Sequence, residues 1–259
     1  MDYLRLMAEL HGGGARQGPG GEAQTRLAMQ IAGLSPSPDL RIADIGSGTG
    51  AATRVLAASL GAQLTAVDLV PAFLDRLRAE ADAAGLGDRV RTLDCPMTSL
   101  PFADGELDAI WSEGAIYNMG FEAGVAAWRR FLKPGGILAV SELTWLTATR
   151  PPDLEAHWLS AYSEVDTAAA KMAVLERQGY SPLGYFVLPE SCWLENFYRP
   201  METRFAAFLE ANSSSAAARE IVEAEIQEIR LYEALGAYFG YGFYIARRTD
   251  QGEGSGGGA

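Results

Sequence analysis

Several things are scarce in this 259-residue chain, and each scarcity excludes a class of protein. There are only two cysteines, Cys95 and Cys192, too few for a disulfide framework or a four-thiolate metal site. No apolar run approaches the ~20 residues needed to cross a bilayer. The start, Met1-Asp2-Tyr3-Leu4-Arg5, lacks the basic and apolar regions of a signal peptide, so the expected compartment is the cytoplasm, without a membrane partner. Basic clusters are missing too. Beyond pairs such as Arg129-Arg130 and Arg247-Arg248, nothing opposes a net charge of -12, and a protein that grips phosphates needs a basic stripe. No nucleic-acid partner is expected; a cationic ligand or a neutral or cationic small molecule suits the charge better. What is present is ordinary for a globular enzyme: 48% hydrophobic and 21% charged residues, without an internal repeat.

The N-terminal arm carries an apolar stripe at Tyr3, Leu6, Met7 and Leu10, then a glycine-rich run from Gly12 to Gly21 that cannot be a regular element. A second helix follows, with Ala23, Leu27 and Ile31 on one face, ended by Ser35-Pro36-Ser37-Pro38. From Leu40 short apolar strands alternate with helical stretches. Strands are expected at Leu40–Ile45, Leu64–Val67, Val90–Leu93, Leu107–Trp111 and Ile137–Val140, with helices at Ala51–Leu60, Ala72–Ala84 and Glu122–Leu132. That alternation predicts an α/β, doubly wound, mostly parallel sheet covered on both faces. Helices are expected next over Asp153–Val165 and Thr167–Gln178, then a sixth strand over Leu183–Leu188. Two further helices, Met201–Asn212 and Ala216–Leu235, precede a last strand, Tyr238–Ala246. The arm is placed at residues 1–35, the main domain at 36–250 with a helical cap insertion at about 190–236, and a glycine-rich tail, flexible by composition, at 251–259.

Ligands of such sheets bind beyond the carboxyl ends of the strands, where strand order reverses. The first loop there is Gly46-Ser47-Gly48-Thr49-Gly50. Its glycines allow a sharp turn and a close ligand approach, and the following helix offers unpaired N–H groups to a phosphate or a carboxylate. The loop fits the dinucleotide pattern G-x-G-x-x-A as well. Asp68, 22 positions after Gly46, stands where an acid binds ribose hydroxyls in either case. Asp44 favours one side, because a carboxylate inside an apolar strand needs a cationic or N–H partner and would repel a pyrophosphate.

The stretch Asp44-Ile45-Gly46-Ser47-Gly48-Thr49-Gly50 resembles motif I of the class I S-adenosylmethionine-dependent methyltransferases. Asp68-Leu69, Leu100-Pro101-Phe102, Leu107-Asp108-Ala109-Ile110-Trp111 and Leu132-Lys133-Pro134-Gly135-Gly136 match the same family in order over about residues 40 to 142. Trp111–Asn118, with Gln17-Gly18-Pro19-Gly20 upstream, is similar to a bacterial small-molecule branch. The resemblance implies a seven-stranded sheet, its last strand antiparallel, capped by the arm and the insertion between strands six and seven. It also implies that Asp44, Gly46, Ser47, Gly48 and Thr49 hold the methionine part of S-adenosylmethionine. Asp68, with Leu69 beside it, takes the ribose, and Met97 and Thr98 lie along the adenine. Where relatives carry an acid one position before Met97, this chain has Pro96, with Asp94 out of register. Arg16 and Gly18 of the arm are expected to fold over the cofactor.

The expected reaction is methyl transfer by direct displacement to an N, O, S or C atom of a small-molecule metabolite. A non-catalytic cofactor-binding module and a dinucleotide-dependent oxidoreductase are the competing readings. Ser112-Glu113-Gly114-Ala115 replaces the Asn/Asp-Pro-Pro-aromatic turn of DNA methyltransferases. Glu113, at the ligand edge of strand four, is a candidate base or cofactor contact. His157 is a second candidate base, and His11 a weaker third. Tyr117, Asn118 and Trp145 are expected to line the acceptor pocket. Trp193, Phe197, Tyr198 and Tyr241 suggest a lid wall or plain packing. No metal triad is visible, and oligomeric state stays open, with a homodimer among the options.

Overall fold

The computed structural model describes residues 2–213 and 215–249. The expected glycine-rich tail at 251–259 lies outside them. Eight strands form one sheet: β1 (Arg41–Ile45), β2 (Gln63–Asp68), β3 (Val90–Asp94), β4 (Leu107–Glu113), β5 (Leu132–Trp145), β6 (Asp166–Thr167), β7 (Tyr180–Val187) and β8 (Phe239–Arg248). Their order is β3-β2-β1-β4-β5-β8-β7, with β6 beside the end of β5. Only β8 runs against the rest, antiparallel to both β5 and β7. The seven anticipated strands are all present. The eighth, β6, pairs only Asp166 and Thr167 with Thr144 and Trp145, too short to give a periodicity signal.

The helices are α1 (Asp2–Gly12), α2 (Glu22–Ala32), α3 (Ala51–Leu60), α4 (Pro71–Ala83), α5 (Phe121–Trp128), α6 (Pro152–Ala161), α7 (Ala168–Arg177), α8 (Glu190–Trp193), α9 (Arg199–Glu202), α10 (Phe205–Ala211) and α11 (Ala216–Leu235). Alternation along the strands sorts the core into two layers. Ile42, Leu64, Ala66, Ala109, Trp111 and Ala139 pack with Ala28, Leu56 and Leu77 on one face. Ala43, Ile45, Ile110, Leu138 and Val140 pack with Phe121, Val125, Trp128 and Leu175 on the other. Strand order reverses at β1, between β2 and β4, so the crevice of a doubly wound sheet opens above Ile45 and Glu113.

Two sequence expectations change here. The buried face of α2 is Thr25, Ala28, Met29 and Ala32, while Leu27 is 40% exposed. A polar tether selects that face: the Thr25 hydroxyl donates to Glu113 Oε1 at 2.7 Å. Strand β5 runs 14 residues rather than the four from Ile137 to Val140. Pro134-Gly135-Gly136 bends inside the strand rather than ending a loop before it, and a register shift between Leu107 and Ala109 absorbs the irregularity. Helices α8 to α11 lie between β7 and β8, and α1 packs against α4, α10 and α11. The arm and the insertion thus cover the same end of the sheet.

Candidate functional site

Above the carboxyl ends of β1, β2 and β4 lies a cavity of about 410 Å³, within the usual ~300–1,000 Å³ of small-molecule sites. Its floor is the glycine loop. Gly46, Gly48 and Gly50 hold φ of +72°, +54° and +79°, a region that costs a side chain roughly 1 kcal/mol or more. A Cβ at Gly46 would also strike Ala115, and one at Gly50 would strike Leu77. Five successive N–H groups of this loop are already paired within the protein. Gly46 and Ser47 donate to Val67 O, at 2.8 and 3.0 Å, and Gly50 to Ser47 O, at 2.9 Å. Gly48 donates to Asp68 Oδ2, and Thr49 to Gln17 Oε1, both at 2.8 Å. A phosphate would therefore find no free N–H from Gly46 to Gly50.

The carboxylates around the cavity differ in their partners. Asp44 is 1% exposed; Thr53 donates to its Oδ2 at 2.5 Å. Burial raises its pKa to about 7, against the lowering effect of that bond and of Arg16. Asp68 accepts from the Val70 and Gly48 N–H groups; burial still raises its pKa above the ordinary carboxylate value. Glu113 is saturated: Arg16 donates to Oε2 at 2.7 Å, and Thr25 and Trp111 donate to Oε1 at 2.7 and 2.9 Å. Its side chain is 8% exposed. It fastens the arm to β4 while still lining the cavity. One polar atom here is unsatisfied: Ser47 Oγ is buried without a partner, an open position for a ligand atom.

Of the residues anticipated for this cavity, Arg16, Gly18, Asp44, Gly46, Ser47, Gly48, Asp68, Leu69, Met97, Thr98, Glu113, Tyr117 and Asn118 line it. Thr49 does not. Fully buried, it sits behind the loop, where Gln17 takes both its N–H and its hydroxyl hydrogen. Gln17, which falls within the arm segment Arg16 to Gly20 expected to fold over the cofactor, also donates to His11 O and Gly14 O. It clasps the arm to the loop; only its place in the Gln17-Gly18-Pro19-Gly20 run hinted at it.

A second cavity, of about 310 Å³, shares Gln17, Gly18, Pro19, Gly114 and Tyr117 with the first. Trp193, Phe197 and Tyr241 line it, whereas Tyr198 is buried behind them. His11, Trp158, Tyr162, Glu225 and Glu228 join them. Sequence distance hid these from local patterns. Two expected residues fall elsewhere. Trp145 is 4% exposed and lines neither cavity, because the lengthened β5 carries it into the core under the Arg150 guanidinium, 4.3 Å from its ring. His157 lies exposed on α6 with its ring edge against Trp158, also outside both cavities. The histidine at the site is His11, whose Nε2 lies 2.9 Å from Glu225 Oε1. Among the described residues no group of three or more His, Cys, Asp or Glu is placed to hold a metal ion. No helix among them is long and apolar enough to cross a membrane.

Residues 43–140 match the family model described as a methyltransferase domain. Demethylmenaquinone methyltransferase of Thermus thermophilus is 36% identical over 119 residues, 45% of this chain and 52% of that protein. The 27-O-demethylrifamycin SV methyltransferase of Amycolatopsis mediterranei is 30% identical over 137 residues, 52% and 50% of the two chains. The chain spans about half or less of the curated relatives it matches. A solved methyltransferase of Geobacter sulfurreducens, in complex with S-adenosyl-L-homocysteine, superposes with a TM-score of 0.81 at 21% identity over 93% of this chain and 97% of that one. YjhP of E. coli gives 0.80 at 22% identity, over 95% and 100%. Residues 43–140 thus resemble a methyltransferase domain, and the chain as a whole shares the fold of the solved methyltransferase of Geobacter sulfurreducens.

Proposed function

We propose that the protein transfers a methyl group from S-adenosylmethionine to a small molecule. One observation carries this reading: two cavities of small-molecule size meet along one wall, Gln17 to Pro19 with Gly114 and Tyr117. A displacement reaction needs donor and acceptor in adjoining enclosed volumes, aligned and dry. The bound cofactor supplies an electrophilic methyl carbon on a positively charged sulfur.

The first cavity fits such a group. Asp44, Asp68 and Glu113 give it negative potential, and Ser47 Oγ has an unfilled bond. In this reading Asp44 and the Gly46–Gly48 backbone hold the amino-acid part, and Asp68, beside Leu69, takes the ribose. Met97 and Thr98 flank the adenine. Arg16 and Gly18 close over the top, with Arg16 held by Glu113 at 2.7 Å. The relatives' own acceptors, a quinone precursor and a rifamycin among them, support a small-molecule acceptor, and no nucleic-acid partner is proposed. The cytoplasm is the proposed compartment, in keeping with two free cysteines.

Calorimetry with S-adenosylmethionine tests the reading, followed by a search for S-adenosylhomocysteine formation with candidate acceptors. Micromolar binding is expected; no heat at millimolar ligand would overturn it.

A further inference from the structure

The second cavity has an unusual charge content. No lysine or arginine lines it, yet Glu225 and Glu228, on one face of α11, both do. Six aromatic side chains share its wall: Tyr117, Trp158, Tyr162, Trp193, Phe197 and Tyr241. The protein partners of the two acids are a tyrosine hydroxyl and a histidine ring. Glu228 Oε1 accepts from the Tyr198 hydroxyl at 2.8 Å, a neutral donor. Glu225 is 8% exposed and meets only the His11 ring at 2.9 Å. His11 Nδ1 is buried with no partner.

Two acidic side chains in an aromatic chamber, with no lysine or arginine among its described lining residues, favour a cationic guest, and aromatic faces favour the same charge. A second observation points to a ligand here. Trp193, 2% exposed and lining the cavity, has an indole N–H with no partner, as does Trp158. These donors suit an acceptor atom on the guest's body, away from its charge.

Building on the methyl-transfer reading, we propose that the second cavity binds an organic ammonium ion and that the nitrogen of this amine is the methyl acceptor. The ammonium gives one N–H proton to the carboxylate that holds it, and from there to water. The neutral nitrogen lone pair forms the new N–C bond to the donor methyl as the C–S bond breaks, its electron pair staying on sulfur. A methylated ammonium and one released proton complete the balance. The carboxylates thus hold the acceptor beside a cationic donor that would otherwise repel it.

The test uses the full chain. Binding of S-adenosylhomocysteine is measured first. Phenethylamine, 2-phenylethanol and 3-phenylpropanoate, alike in body but differing in charge, are then titrated at pH 7.5 with and without it. Phenethylamine should bind about tenfold or more tightly than the alcohol, an advantage of about 1.4 kcal/mol, and the acid should not bind. Glu228→Gln should reduce that preference to about threefold or less, leaving S-adenosylhomocysteine affinity unchanged. Equal or tighter binding of the alcohol or the acid overturns the proposal, as does a preference that survives in both Glu228→Gln and Glu225→Gln. If S-adenosylhomocysteine does not bind, the methyl-transfer reading and the acceptor role fall together, while the amine preference is still read in the unliganded protein.

Discussion

The Arg16 guanidinium lies 2.7 Å from the Glu113 carboxylate, joining the N-terminal arm to the end of β4 across 97 residues of chain. Both side chains are largely buried, 12% and 8% exposed. Arg16→Ala leaves the Glu113 charge without its counterion, and breaking such a pair costs about 3–5 kcal/mol when fully buried. A loss of about 2–4 kcal/mol is expected by urea denaturation. Glu113→Gln keeps the shape and leaves Arg16 uncompensated, and should cost a comparable amount. Losses below about half a kcal/mol for both would show the contact to be an ordinary surface pair.

Gln17 spans arm and loop with one amide group. Removing it in Gln17→Ala strands the Thr49 N–H and takes one donor each from the His11 and Gly14 carbonyls. Affinity for S-adenosylmethionine should fall about tenfold, and limited proteolysis of the arm should speed up. Equal affinity and equal cleavage would mean that the arm is held without this residue.

Asp44 makes binding pH-dependent. Its pKa in the fold is raised to about 7 from the ordinary aspartate value of 3.8. Between those values the folded state holds a proton that the unfolded state has lost, so this group's contribution to stability declines as pH rises from about 4 to 7. A cationic ligand prefers the charged form. S-adenosylmethionine should therefore bind more tightly as pH rises from 6 to 8, releasing a proton that calorimetry in buffers of different ionisation enthalpy can count. Asp44→Asn should abolish the Asp44 part of that slope, weaken binding, and leave the unliganded protein at least as stable as wild type at pH 8. Glu142, also raised to about 7 by burial, remains in both proteins, so the comparison isolates Asp44.

Asp68 braces two backbone N–H groups while facing the first cavity. Asp68→Ala should cost about 2–3 kcal/mol of stability and weaken S-adenosylmethionine binding about a hundredfold. Unchanged affinity in a folded variant would refute its ribose role. By contrast, His157→Ala should leave turnover within about twofold, since the ring lies outside both cavities; a large loss would reinstate it as a base.

The contrast between Asp68 and His157 shows what the chain discloses locally. Gly46, Gly48 and Gly50 are readable because a strand-to-helix turn with positive φ dictates residue type within a few positions, and Asp68 because it closes the next strand at a fixed spacing from them. The sheet was readable from alternation for the same reason. Trp145 was misplaced because Pro134-Gly135-Gly136 resembles a loop, which concealed how far β5 extends. Thr49 was assigned to the ligand because nothing local reveals that Gln17, 32 residues earlier, takes its bonds. The second cavity was hardest. His11, Tyr162 and Glu225 meet only through the docking of α1 and α11, and helical periodicity says which face is apolar, not which distant face it meets.

The ribbon from Gln17 to Pro19 walls both cavities at once. A displacement that lets a spent donor escape past this ribbon also uncovers the methylated product, so the two departures share one gate. If methyl transfer runs here as proposed, renewing the donor past this ribbon exposes the product as well, which disfavours successive methylations of one captive molecule.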